Sequence, residues 1–169
     1  MVCNDILKSF SNFVANSFSF QPPNPATYSI KKINDNNSQL DIHLNNKSLN
    51  DILKFYPSIS YNIYSVPKYL NKGLVKNRLI LLELKNNVVT NFNNIKNVVV
   101  SHGNATDIGK FLPYLIDFCI MYMCNIYCYD YSGYGCSSGK ATESEIYSDI
   151  EIIIHYIFKN LNIKYNVYL

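Results

Sequence analysis

Apolar positions change their period several times along this chain, and each change predicts a different element. In residues 1–20, Ile6, Phe10, Phe13 and Val14 recur at helical spacing while Asp5, Lys8, Ser9 and Asn12 fall elsewhere on the turn, which predicts a short amphipathic helix. The prolines of "QPPNPATYSI" then preset φ and hold their predecessors out of the helical region, so an extended connector follows. Residues 31–57 read as a hydrophilic, Asn-rich variable insert, its asparagines filling loops. Beyond them, Ile59, Tyr61 and Ile63 alternate as in a half-buried strand over residues 58–66. The run "RLILLEL" over residues 78–84 is apolar throughout, as in a strand buried on both faces. These two runs make a candidate hairpin or meander.

From Asn97 onward the pattern alternates strand with helix. "NVVVS" is a strand, and Ile108, Phe111, Leu112, Leu115, Ile116 and Cys119 form a helical stripe. "CNIYCYDY" is the next strand and "SGYGCSSGK" a glycine-rich turn. Thr142 and Glu145 have the spacing of a capping box, opening a helix with Ile146, Ile150, Ile153, Ile154, Ile157 and Leu161 on one side. "YNVYL", ending at Leu169, begins a further strand. A β-α-β-α-β run of this kind predicts an α/β fold, a mostly parallel sheet with flanking helices. The organisation expected is a leader over residues 1–30, the insert over 31–57 and a partial α/β domain over 58–169.

Composition narrows the classes. With 48% hydrophobic and 14% aromatic residues the chain can bury a core. A net charge of +3, carried by lysines scattered among asparagines, provides no basic stripe, so nucleic acid is not an expected partner. Asparagine fills about one position in seven, against a usual few per cent, and this reads as compositional bias in loops. The five cysteines, Cys3, Cys119, Cys124, Cys128 and Cys136, show no paired metal-ligand spacing and follow no secretory leader, which fits a reduced, cytoplasmic setting. Three of them lie in or beside apolar runs, where a free cysteine acts as a small core residue. No stretch reaches the roughly 18 apolar residues of a membrane span. No metal or cofactor is expected.

Chemistry is expected where strands of a parallel sheet end. Two loops qualify, one at His102-Gly103-Asn104-Ala105 and one over residues 132–139. In the first, Gly103 allows a sharp turn and close approach, and the N–H of Asn104 or Ala105 can point outward as a donor to an oxyanion. His102 is expected to brace the turn it starts, Asp107 to lie in the first turn of the helix, and Asp130 to brace the loop after its strand. In the second loop, Gly133-x-Gly135-x-x-x-Gly139 is one residue too long for a dinucleotide fingerprint, and "YNVYL" has no acid for a ribose. Lys140 is followed by Ala141 where a phosphate loop needs Ser or Thr. Tight turn geometry therefore explains Gly133 and Gly135. His43 and His155 read as solvated surface residues. No Gly-x-Ser-x-Gly nucleophile elbow occurs in the sequence.

The segments "SHGNATDIG", "CNIYCYDYSGYGCSSGKATESEIYSDIE" and "FQPPNPATYSI" resemble the corresponding parts of the alpha/beta-hydrolase domain-containing protein 17 family, membrane-associated serine hydrolases that remove palmitate from cysteine. The likeness is continuous over residues 97–169 and weak over residues 31–96. It implies an α/β-hydrolase fold with "NVVVS" as third strand, "CNIYCYDY" as fourth and "YNVYL" as the start of the fifth. In that family the nucleophilic serine follows the fifth strand, and the acid and histidine come later, so the nucleophile elbow is expected beyond Leu169. The resemblance therefore implies an oxyanion half-site at Gly103, Asn104 and Ala105, no catalytic serine, aspartate or histidine within residues 1–169, and no turnover by this chain alone. An S-acylated protein would be the substrate. Family members are also S-acylated near the amino terminus, where this chain offers Cys3. One acyl chain binds membranes weakly, so residues 6–14 would supply a second signal for a peripheral place on the cytoplasmic face. The expected alternative is a non-catalytic remnant that binds lipid or protein. A fifth strand cut short would leave an edge and helix faces uncovered, with poor solubility as the result.

Overall fold

The computed structural model describes residues 19–34, 37–69, 74–88 and 95–169. The expected amino-terminal helix and Cys3 lie outside these residues. The Asn-rich insert corrects the reading from sequence, because it is built rather than looped. Strands β1 (Ser29–Asn34), β2 (Asn37–Leu44) and β3 (Lys47–Ser48) form an antiparallel sheet, followed by the short helix α1 (Leu49–Leu53). Asparagine composition helps here. Asn45 and Asn46 take φ of 47° and 68° in the two-residue turn that pairs Leu44 with Lys47, and asparagine tolerates that left-handed region better than most residues. Ser48 caps α1 by accepting from the Asp51 N–H. Ile42, Leu49 and Leu53 are buried in the main core, so the insert is part of the packed unit.

The second sheet has five strands. Strands β4 (Ile59–Tyr69) and β5 (Val75–Asn86) make the expected hairpin, and both run further than the periodicity indicated. Pro67 stands opposite Arg78, and it is accommodated because β4 is an edge strand with β5 as its neighbour. Then come β6 (Lys96–Ser101), α2 (Ile108–Met121), β7 (Cys124–Tyr129), α3 (Glu143–Lys159) and β8 (Val167–Tyr168). The spatial order is β4-β5-β7-β6-β8; β5 meets β7 antiparallel, while β6 is parallel to both β7 and β8. The sheet is thus mixed, and the alternating half of the sequence forms its parallel part. The last strand is shorter than "YNVYL" suggested: only Val167 and Tyr168 pair with β6, and Leu169 follows them with its surface exposed.

After β6 the chain moves to one side, and after β7 it crosses back over β6 to the other. Right-handed crossovers in opposite directions place α2 and α3 on opposite faces. The two cores agree. Ile80, Leu82, Leu84, Ile126 and Cys128 pack with Ile108, Leu112, Leu115 and Ile116 of α2. Leu79, Leu81, Val99, Tyr127 and Tyr129 pack with Ile153 and Ile157 of α3. Successive residues of β5 serve opposite faces, which is why its apolar run is unbroken. Each fully buried Leu or Ile contributes about 1.5–3 kcal/mol, so both layers matter to stability.

Candidate functional site

The loops leaving β6 and β7 emerge side by side at the carboxyl ends of two paired parallel strands, with Ser101 opposite Tyr129. Asp130, fully buried, joins them. Its Oδ1 accepts from the Ile108 N–H at 2.9 Å, its Oδ2 accepts from the Tyr28 hydroxyl, and its carbonyl accepts from Ser137 Oγ at 2.8 Å. His102 Nε2 stands 3.2 Å from Asp130 Oδ1, off the line of a hydrogen bond, with both side chains fully buried. The other ring nitrogen, Nδ1, lies 3.0 Å from the Gly103 carbonyl. Burial, and after it the charge of Asp130, pushes the Tyr28 phenol well above the ordinary tyrosine range, so Tyr28 stays a donor. Asp130 therefore does more than brace the following loop. It ties the connector before β1, the start of α2 and the loop after β6 into one cluster.

Two glycines make room for it. A Cβ on Gly135, where φ is +50°, would fall 2.0 Å from Asp130 Oδ2. A Cβ on Gly109, in the first turn of α2, would meet Thr27 Oγ1 at 2.6 Å and Tyr28 Cβ at 2.8 Å. Gly133 also takes a positive φ, of 81°, in keeping with turn geometry.

Asn104 holds the first loop by its side chain. Oδ1 accepts from the Gln21 N–H at 2.8 Å, the Ala105 N–H at 3.0 Å and the Tyr134 hydroxyl at 2.8 Å, while Nδ2 donates to the Ser19 carbonyl at 2.8 Å. Three roles expected from sequence change here. The left-handed residue is Ala105, at φ 58°, rather than Gly103, beside which a Cβ would meet nothing within 4 Å. The Ala105 N–H is committed to Asn104 Oδ1, which leaves the N–H of Asn104, an exposed residue, as the candidate donor of the pair. Asp107 lies just before the first turn of α2 as its N-cap, accepting from the Lys110 N–H at 3.0 Å and from both the N–H and hydroxyl of Thr27.

Leu169, beyond which the nucleophile elbow is expected, is 82% exposed one residue past the end of β8. Of the other histidines, His155 is exposed. His43 departs from expectation: it is partly buried, with Nε2 3.4 Å from Asp41 Oδ2 in the small sheet. Cys119, Cys124 and Cys128 are buried free thiols; burial pushes Cys119 up to about 12 and raises the other two, leaving core residues of low reactivity. Among the described residues no group of three His, Cys, Asp or Glu side chains stands together as a metal site.

Sequence reasoning missed a second buried acid. Asp149 of α3 accepts from Lys68 Nζ at 2.6 Å and from the N–H and hydroxyl of Ser132 at 2.7 and 2.9 Å. Lys68 also meets Glu145 at 2.5 Å. Burial pulls the Lys68 ammonium down, but the bonds and charges of Asp149 and Glu145 together hold it above the ordinary lysine value. A signal existed: Asp149 lies three residues after Ile146 and four before Ile153, on the apolar stripe itself.

Comparison with known proteins adds the lineage. The chain is 30% identical over 138 residues to alpha/beta hydrolase domain-containing protein 17B of Homo sapiens, covering 82% of this chain and 44% of that protein. It is 50% identical over 58 residues to alpha/beta hydrolase domain-containing protein 17C of Xenopus tropicalis, covering 34% of this chain and 19% of that protein. A Caenorhabditis elegans relative, alpha/beta hydrolase domain-containing protein aho-3, is 47% identical over 53 residues, or 31% of this chain and 16% of that protein. The chain spans less than half the length of these curated relatives. No family model and no solved structure matches it. Sequence kinship and the mixed sheet with flanking helices lead to one conclusion: the chain belongs to the alpha/beta hydrolase domain-containing protein 17 family and carries part of an α/β-hydrolase fold.

Proposed function

We propose that this chain supplies the oxyanion-binding half of a serine hydrolase site that cleaves acyl thioesters on protein cysteines. The observation that carries the reading is the parallel pairing of β8 with β6, Asn97 opposite Val167 and Val98 opposite Tyr168. A chain continuing along β8 for a few residues past Leu169 would emerge beside the loop from His102 to Ala105. A serine there would attack the thioester carbonyl as a histidine takes its proton. The carbonyl oxygen, now negative, would accept from the Asn104 N–H. Collapse of the tetrahedral intermediate expels the thiol, and water then releases the acid from the acyl-serine. The thioester substrate rests on the resemblance noted from sequence, and the hydrolase family supports the reaction type.

A fluorophosphonate probe tests the half-site. The 169-residue chain is expected to remain unlabelled, and a chain extended through a Gly-x-Ser-x-Gly segment to label at that serine and release thiol from a palmitoyl-cysteine peptide. Labelling of a serine within residues 1–169 overturns the proposal. So does an extended, labelled chain that cleaves esters but no thioester. Peripheral attachment through an acylated Cys3 belongs to the same reading; Cys3→Ser should move the protein from the membrane fraction to the soluble one, and an unchanged distribution removes that part.

A second reading, a binding module without catalysis, is favoured by exposed apolar side chains on α2 and just after its end. Tyr114, Phe118, Met121, Tyr122 and Met123 are exposed there, with the Phe118 and Tyr122 rings 4.4 Å apart. Failure of every extended chain to label would leave this reading in place.

A further inference from the structure

We infer that the Asn104 carboxamide is a binding site for extended polypeptide main chain, occupied in this structure by residues 19–21 of the same chain. A substrate peptide flanking an acylated cysteine takes their place, a use that rests on the function proposed above; the site itself does not. Asn104 Nδ2 donates to the Ser19 carbonyl at 2.8 Å, and Oδ1 accepts from the Gln21 N–H at 2.8 Å. In an extended chain the carbonyl of one residue and the N–H two residues on face the same side, so one amide side chain can meet both. Neither bond uses a side chain of residues 19–21. The same pair of main-chain groups is present in any extended peptide without proline at the second place.

The carboxamide is oriented without help from the connector. Two of the three donors to Oδ1, the Ala105 N–H at 3.0 Å and the Tyr134 hydroxyl at 2.8 Å, come from the loops after β6 and β7. Tyr134 is itself buried, and the glycines on either side of it, Gly133 and Gly135, take φ of 81° and 50°. A carbonyl oxygen has two lone pairs, so the Gln21 N–H shares an acceptor already engaged from within the fold. Ser19, Gln21 and Asn104 are all exposed, and their bonds are open to exchange with another peptide. Further along, the connector is held differently. Thr27 meets Asp107 through its N–H and hydroxyl, and the Tyr28 hydroxyl meets Asp130, both acids being buried. Pro22, Pro23 and Pro25 stiffen the arm between the two attachments. Residues 19–21 can therefore leave Asn104 while the buried anchors stay in place.

One residue thus serves two ends. The side chain of Asn104 brackets a main chain, and its own N–H is the candidate oxyanion donor, so a peptide held by the carboxamide brings its acylated cysteine next to that donor. The tethered residues 19–21 compete with it at an effective concentration of about a millimolar, enough to hold off a weakly bound peptide. The connector is in this sense a stand-in for substrate.

The test is fluorescence anisotropy on the full 169-residue chain, with a labelled, blocked peptide of alanines around one S-octyl-cysteine, whose thioether cannot be cleaved. Gln21→Pro removes the competing N–H and leaves Asn104 untouched; it should bind the peptide about tenfold more tightly than the parent chain. Asn104→Asp keeps an acceptor for Ala105 and Tyr134 but sets a charged oxygen against the carbonyl that Nδ2 had met, and should bind the peptide about tenfold more weakly. The same peptide with its main-chain nitrogens methylated should not bind. Phe20 lies between the two bonded residues, so chymotryptic cleavage after it in the parent chain should rise as peptide saturates the site. Equal affinity of the parent and Gln21→Pro, or cleavage after Phe20 indifferent to peptide, overturns the occupancy by residues 19–21. Unchanged affinity in Asn104→Asp, or binding of the methylated peptide, overturns the carboxamide as the site, and no binding to any form overturns both. None of these readouts involves turnover, so they are distinguishable from a failure of fluorophosphonate labelling, on which the hydrolase reading depends.

Discussion

Asp130 and Asp149 are both wholly buried, and both hold the loop between β7 and α3, one through Ser137 and the other through Ser132. Their partners separate them. Asp149 answers a lysine on edge strand β4, and everything it touches is internal. Asp130 answers a histidine whose opposite nitrogen reaches the carbonyl of an exposed loop. Equal burial thus goes with a clamp inside the fold in one case and with a contact to an exposed loop in the other. What decides is whether the partner has a second hydrogen-bonding end, which imidazole has and ammonium, saturated by its acids, lacks.

The comparison can be broken most forcefully at Lys68. Lys68→Met leaves Asp149 charged and unpaired, and should cost about 3–5 kcal/mol in urea unfolding. Adding Asp149→Leu should recover most of that loss, because a buried pair contributes little net stability over an apolar replacement. A loss under about 1 kcal/mol in the single variant would mean that water reaches the acid. The pH dependence has a definite sign. Lys68 is raised in the folded state, so its contribution is full below its unfolded value and fades as pH rises through the folded one; Glu145 is lowered, by its bonds to Lys68 and Lys76, so its contribution fades as pH falls through its folded value. Stability should therefore drop at both extremes, and Lys68→Met should flatten the alkaline side.

Gly135→Ala is the next largest, at about 3 kcal/mol, since the new Cβ must displace Asp130 Oδ2 and accept a left-handed backbone. It sharpens the comparison because it strikes the Asp130 cluster and leaves the Asp149 one intact. Tyr28→Phe removes one donor from Asp130 and should cost about 1–2 kcal/mol, with faster amide exchange at Ile108. The smallest effect is a control in the other sheet. Asn46→Gly, in the turn after β2, should change thermal stability by under about 0.5 kcal/mol, because glycine accepts the same φ. A large loss there would show that the small sheet is coupled to the clusters more tightly than its contacts indicate.

Much of this architecture was legible from periodicity. The β-α-β-α-β half, the capping residue Thr142 and the hairpin of β4 and β5 all follow from local patterns, because helix and strand repeat within a few residues. The small sheet escaped because Ile42, Leu49 and Leu53 are spaced too sparsely among asparagines to show a period. Pro67 disguised the end of β4, since its fitness there depends on the strand lying at an edge.

At the loops, residue types alone selected the region and named His102, Asn104 and Asp130. Contacts across long separations decided their roles. Tyr28 and Asp130 are 102 residues apart, and Gln21 and Asn104 are 83. Local periodicity carries no information over such distances. The sequence by itself determined the strand and helix order, the turns that glycine and asparagine permit, and kinship with a hydrolase family. Only the tertiary structure decided that Ala105's N–H is spent, that Asn104's is the candidate that remains, and that a buried aspartate stands beside His102, because each depends on which groups meet once the chain has folded.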